Sequence, residues 1–295
     1  MLFLDEILAS TESEITAAKR ERNIGDLRRM ISDAPEVNCF REALSGGFGI
    51  IAELKKRSPS AGEMRQDNFN KAPSAYAKSS IVKAVSVLTN ASHFGMSIDQ
   101  LSRVRPLVRK PILRKDFIIK EYQVWEARAF GADAILLMAN VLNKSNLQRL
   151  FDLAQELKLD VLFEVHEKNE IAKIPEGAKI FGVNSRKFMA TNRWRFARLL
   201  LKLGIGKSSK APDPSVELNT FSLIENLPKA AIKVAESGVK PSKIGQVFRL
   251  GYDTALIGTS LLKAPEGVES ILSEFECAVS PERRGISAVR SPLPA

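Results

Sequence analysis

The sequence predicts an α/β fold, a parallel (β/α)8 barrel with an N-terminal helical extension. Three observations carry that prediction. Eight short apolar, β-branched runs recur along the chain, and most gaps between them hold a helical pattern. The loop after the first run, KKRSPSAG, is not the G-x-G-x-x-G turn of an open dinucleotide-binding sheet.

About 45 residues precede the first run and read as helical. The runs then follow in order: 48–54 (ending GIIAEL), AVSVLT (84–89), PILRKDF (111–117), AILLMAN (134–140), VLFEVH (161–166), IFGVNSR (180–186), AIKVAES (231–237) and ALIGTS (255–260). Runs this short and this apolar read as strands buried on both faces. Helices are expected over 120–133, closing at Gly131, and over 143–159, 192–203 and 240–253. Eight βα units over about 215 residues suit a closed barrel with right-handed crossovers. Residues 1–279 read as one barrel domain. Within it, 204–220 is rich in Gly, Pro and Ser and reads as a loop insertion, and 280–295 reads as a disordered tail.

Composition narrows the class. Of 295 residues, 44% are hydrophobic and 26% charged, as in a soluble globular protein. No apolar run reaches the ~20 residues of a membrane helix, and the opening MLFLDEILAS lacks a basic leader. A cytoplasmic protein, monomeric or weakly homo-oligomeric, is expected. Cys39 and Cys277 with His93 and His166 make no metal-ligand spacing, so no metal is expected. The net charge of +10 admits nucleic acid, anionic lipid or a small anionic substrate, although most basic residues read as solvated surface.

In such a barrel the chemistry sits where the strands end. The polar residues there are Glu53, Lys55 and Ser58; Lys115 and Asp116; Glu164; Asn184 and Arg186; Glu236 and Ser237. Side chains two apart on a strand share a face, which pairs Glu53 with Lys55 and Asn184 with Arg186. One such charge is ordinarily a rim residue. Carboxylates and ammoniums recurring on non-adjacent strands are costly to gather without a task, and they point to an acid–base site. ESG (236–238) and GTS (258–260) leave small residues where backbone N–H groups can approach an anion, the usual phosphate grip of these barrels.

The motifs IIAELKKRSPSAG, VSVLTNASHFGMS, PILRKDFII, GADAILLM, LFEVHEKNE, FGVNSRKF, VAESGV and ALIGTSLLKAP occur in this order. Together, over residues 46 to 265, they resemble the indole-3-glycerol phosphate synthase family of tryptophan biosynthesis. The resemblance implies a TIM barrel that closes the indole ring of 1-(2-carboxyphenylamino)-1-deoxyribulose 5-phosphate. Carbon dioxide and water leave, and no cofactor is used. It places the general acid on Lys115, a second proton-transferring lysine on Lys55 and the general base on Glu164. Glu53 and Glu236 become supporting carboxylates, and Asn184 and Arg186 orient the central groups. Ser58, Phe94 and Phe117 line the substrate region, while Ser237, Gly238, Gly258 and Thr259 hold phosphate.

Two departures stand out: Lys187 replaces the family's usual acidic residue, and SHFGMS replaces its commoner glycine-serine wording. The partner implied is a small anionic phosphorylated substrate, neither nucleic acid nor membrane. The rivals are another phosphate-binding barrel lyase or isomerase, such as a Schiff-base aldolase using Lys115, a basic nucleic-acid binder, and an inactive relative. The nucleic-acid reading leaves Glu53, Glu164 and Glu236 unexplained.

Overall fold

The computed structural model describes residues 4–186 and 218–286. Eight parallel strands close into a barrel: β1 (Gly49–Leu54), β2 (Val82–Leu88), β3 (Ile112–Lys115), β4 (Ala134–Met138), β5 (Asp160–Val165), β6 (Ile180–Asn184), β7 (Ile232–Glu236) and β8 (Thr254–Ile257). Each pairs with its sequence neighbours, and β1 closes the ring by pairing with β8, Ala52 opposite Ile257. All but the first of the apolar runs extend past their strands at the C-terminal end; the third spans 111–117 but its ladder stops at Lys115. The last residues of several strands are already polar, among them Lys115, Asn184 and Glu236.

Alternation sorts the side chains. Ile51, Ala84, Leu113, Leu136, Leu162, Ile180, Val234 and Leu256 fill the barrel interior as one cluster. Their neighbours one residue on, such as Ala52, Val85 and Phe163, pack in the cluster beneath the helices. Pleating dictates this split, since successive side chains leave opposite faces.

Three N-terminal helices, α1 (Leu4–Glu21), α2 (Ile24–Ser32) and α3 (Phe40–Ser45), precede the barrel. Asn23 caps α2 reciprocally with Asp26, and Trp125 lies beneath the Arg28 guanidinium. The crossover helices include α4 (Gln66–Lys78), α5 (Ala91–Phe94), α6 (Asp99–Val104), α7 (Glu121–Ala129), α8 (Lys144–Glu156), α9 (Lys168–Ile171), α10 (Pro241–Arg249) and α11 (Thr259–Leu262). Gly131 takes φ +87° just past α7, a left-handed stop that suits glycine. The last helix, α12 (Val268–Ile286), is anchored by buried Ile271, Leu272, Phe275 and Val279 and runs through 280–286, the first residues of the segment read as a tail. The expected helix over 192–203, most of the 204–220 insertion, Lys187 and residues 287–295 lie outside the described residues.

The N-terminal extension grips both ends of the barrel. Phe40 and Leu44 of α3 join the interior cluster and close its lower end. The buried Asp133 carboxylate fixes that end, accepting N–H bonds from Asn38 (2.8 Å) and Ile112 (2.7 Å) and pairing with Arg105 (2.6 Å). Asp160 accepts the Arg41 N–H at 2.8 Å. At the upper end Ile7 of α1 reaches the cavity described below.

Removing the Asp133 carboxylate strips the partly buried Arg105 guanidinium of its ion pair and strands two N–H groups at once. Asp133→Ala is expected to lower unfolding free energy by about 3 kcal/mol, read as a lower urea midpoint, with Asp133→Asn losing less.

Candidate active site

The parity that fills the interior also builds the site. Glu53, Lys115, Glu164, Asn184 and Glu236 each stand two residues beyond an interior apolar residue or four beyond it, on the same face. Strand register levels them: Leu88 lies opposite Lys115, Glu164 opposite Gly182, and Asn184 opposite Glu236. They form the top inward layer, in which ionisable groups and the Asn184 amide replace hydrocarbon.

Those charges meet in a compact cluster. Lys115 Nζ lies 2.5 Å from Glu236 Oε2 and 3.2 Å from Glu164 Oε2. Lys55 Nζ donates to Glu53 Oε1 at 2.5 Å. Above them opens a cavity of about 290 Å³, lined by Glu53, Lys55, Lys115, Asn184, Arg186 and Glu236 together with Phe94. Across the cavity lie Ser237, Gly238, Gly258 and Thr259. Ser237 and Gly238 take φ of +69° and +71° in succession. A serine held in that region is strained, and consecutive N–H groups in such a turn form an anion-binding concavity. Ser185 ties the turn down, its hydroxyl donating to the Glu236 and Ser237 carbonyls at 3.2 and 3.1 Å.

Three expected residues do not line the cavity among the described residues. The Ser58 hydroxyl accepts the Ala61 N–H at 3.1 Å and shapes the β1 loop, while Pro59 and Ser60 reach the cavity instead. Phe117 is buried in the interior cluster, next to the site rather than in it. Glu164 is buried just below the cavity lining, with Oε2 3.2 Å from Lys115 Nζ. Sequence reasoning missed Ser60, whose hydroxyl receives Arg186 Nη1 at 2.5 Å. It also missed Ile7, Ser185 and Tyr76, whose hydroxyl donates to the Glu53 carbonyl at 3.0 Å. Ser60 lies in the turn after Ser58, where no strand parity marks which side chain faces the cavity.

Behind Lys115 a buried outward-facing network holds β3 in place. Arg114 pairs with Asp116 (3.1 Å) and Glu126 (2.9 Å), and Asp116 accepts from Thr89 (2.6 Å) and from the Phe117 N–H (2.9 Å). Lys115, between Arg114 and Asp116, is thereby turned inward. Among the described residues no group of three His, Cys, Asp or Glu side chains is arranged to hold a metal ion. Nor is any of their helices long and apolar enough to cross a membrane.

Protonation follows from burial and pairing. Burial alone would lower Lys115, but Glu236, Glu164 and Glu53 push it well above the usual lysine range. Burial would raise Glu53, yet Lys55 and Lys115 hold it below the ordinary carboxylate range. Glu164 likewise ends low, with burial outweighed by Lys115, His166 and the Asn184 amide. Glu236 goes the other way: burial, helped by the Glu164 charge, pushes it up to about 7 against the pull of Lys115.

Two glycines make room for these carboxylates. A Cβ on Gly182 would overlap Glu236 Oε1, and one on Gly258 would overlap Glu53 Oε1.

A closed barrel with a buried lysine–carboxylate cluster below a turn of two consecutive left-handed residues has the architecture of a (β/α)8 enzyme. The model of the family "Indole-3-glycerol phosphate synthase" matches residues 4–192. The indole-3-glycerol phosphate synthase of Bacteroides thetaiotaomicron is 35% identical over 272 residues, 91% of this chain and 95% of that one. That of Nocardioides sp. is 37% identical over 276 residues, 90% and 96% of the two chains. Among solved structures, a 3-hexulose-6-phosphate synthase superposes with TM-score 0.53 at 14% identity, over 79% of this chain and 99% of that chain, a likeness of fold alone. The chain belongs to the indole-3-glycerol phosphate synthase family.

Because a displacement near 1 Å costs about 100-fold in rate, Gly182→Ala and Gly258→Ala are each expected to cut kcat by about that factor. Their melting temperatures should fall far less, since each extra methyl is a local overpacking. Glu236 also leaves a mark on stability. Its folded-state pKa lies above the ordinary 4.5, so its contribution is fully present below pH 4.5 and is lost as pH rises through about 7. Comparing urea midpoints at pH 5 and pH 8, Glu236→Gln should show a smaller loss over that window than the wild type. The low-lying Glu53 and Glu164 act below pH 4.5 and do not obscure it.

Proposed function

We propose that this chain carries out the ring closure of 1-(2-carboxyphenylamino)-1-deoxyribulose 5-phosphate with the cluster centred on Lys115. The observation that carries the assignment is the Lys115 ammonium on the cavity floor, held between Glu164 and Glu236 and facing the Ser237–Gly238 turn. The phosphate sits in that turn and against Gly258 and Thr259. The anthranilate carboxylate lies toward Lys55 and Arg186, with Phe94 against the ring.

The ring carbon bearing the carboxylate attacks the ketone carbon. Lys115 gives its proton to the oxygen as negative charge develops there, which yields a hydroxyl group. Its raised proton affinity keeps the acid loaded at every working pH, and an alkoxide is basic enough to take the proton. The carbon–carboxylate bond then breaks, carbon dioxide leaves, and its electron pair restores the aromatic ring. Lys55 assists departure of the hydroxyl as water. Glu164 removes the proton from the carbon next to nitrogen, completing the indole. Glu53 holds Lys55 in place, and Asn184 stands beside Glu164.

The same charges argue against a Schiff-base aldolase. That chemistry needs a neutral lysine nucleophile, and three carboxylates hold Lys115 cationic. A cavity of about 290 Å³ suits a small phosphorylated substrate.

The test offers the purified protein this substrate and follows indole fluorescence. Lys115→Ala and Glu164→Gln are each expected to lower kcat by about 1000-fold, within the usual range for a general acid or base. No turnover by the folded wild type would overturn the reading, and turnover surviving Lys115→Ala would remove Lys115 from its role.

A further inference from the structure

Glu164 and Glu236 share one ammonium, and Lys115 alone would favour ionised Glu236. Its Nζ lies 2.5 Å from Glu236 Oε2 but 3.2 Å from Glu164 Oε2. Both are equally buried, yet Glu236 is pushed up and Glu164 is held low. Besides the Asn184 amide, a second cation breaks the tie against distance.

That group lies on the far side of Glu164. His166, just past the end of β5, places Nε2 3.4 Å from Glu164 Oε1. Its Nδ1 lies 3.8 Å from Glu170 Oε2 on α9. Glu170 is held in turn by the backbone, accepting the His166 N–H at 2.6 Å and the Glu167 N–H at 3.3 Å. An imidazole with a carboxylate oxygen facing each nitrogen is most stable with both nitrogens protonated. The ring is 6% exposed, so water screens this charge little. The charged groups facing it are Glu164 on its own strand, Glu170 on α9 and Glu236 on β7. Of the two carboxylates on Lys115, the one in ion-pair contact with His166 is Glu164.

We infer that the His166–Glu170 pair assigns the roles of the two carboxylates on Lys115, holding Glu164 as the ionised base and leaving Glu236 to carry the proton. His166 is a positioning residue that reaches the substrate through Glu164. Its cation does two things. It keeps the base unprotonated at neutral pH, and it fixes Oε1 so that Oε2 stays toward Lys115 and the cavity. The role rests on Glu164 being the base, as proposed above.

The experiment is a titration of the substrate-free protein carrying glutamate labelled with ¹³C at the carboxyl carbon. Glu164→Gln and Glu236→Gln identify the two signals. In the wild type Glu236 is expected to titrate near neutrality and Glu164 at lower pH. In His166→Gln the Glu164 midpoint should rise and the Glu236 midpoint fall, each by about one pH unit, a tenfold change in proton affinity. Glu170→Gln should move both the same way by less, and Glu170→Asp should restore the wild-type order.

In turnover, the acid limb of kcat should shift upward in His166→Gln by the same unit, with KM little changed. A folded His166→Gln protein that keeps the wild-type titration order would overturn the inference. So would a change in KM alone with an unmoved pH profile. The titration needs no turnover, so an inactive wild type would sink the proposed reaction while still answering this question.

Discussion

Everything at the upper end of this barrel depends on one ammonium held between two carboxylates. Lys115, Glu164 and Glu236 come from three strands, and each alone would be an unpaired charge in a nearly dry interior. Together, with Lys55 and Glu53 alongside, they satisfy one another, and the barrel can carry a charged layer above its hydrocarbon core. Closure and register are the conditions for that. A slip of one residue in β3, β5 or β7 would turn the charge outward and leave its partners stranded.

The surrounding structure can be understood as what that layer requires. Gly182 and Gly258 are bare because carboxylate oxygens occupy the space a side chain would take. Arg114, Asp116 and Glu126 lock the outward face of β3, which leaves Lys115 only the inward direction. Ser185 fastens the strained Ser237 turn to the end of β7, so the N–H groups of that turn and Glu236 keep a constant spacing. The N-terminal extension then seals what the barrel leaves open. Phe40 and Leu44 close the lower end, and Ile7 lines the upper one.

Much of this was legible in the chain. The apolar runs located all eight strands, because strands buried on both faces must be apolar nearly throughout. Spacing of two placed Glu53 with Lys55 on one face, and the order of motifs led to the family. Some errors have a physical cause. Ser58 was expected in the cavity, but its hydroxyl is spent on a turn and Ser60 takes the place. Loop conformation, unlike strand parity, leaves no periodic trace. α12 also runs on to Ile286, into the segment whose composition reads as a tail.

The sequence by itself determined the strands, their faces and the types of group available for acid–base chemistry, since pleating and apolar periodicity are local properties. Only the tertiary structure decided that Lys115 would lie between Glu164 and Glu236, and that Ile7 of the extension would border the site. It alone brought His166 against Glu164 with Glu170 behind it. Those pairings, and the proton affinities that follow from them, depend on distances of a few ångströms between strands far apart in the chain. Coulomb interactions in a desolvated interior change sharply over such distances, and nothing in the linear order of residues records them.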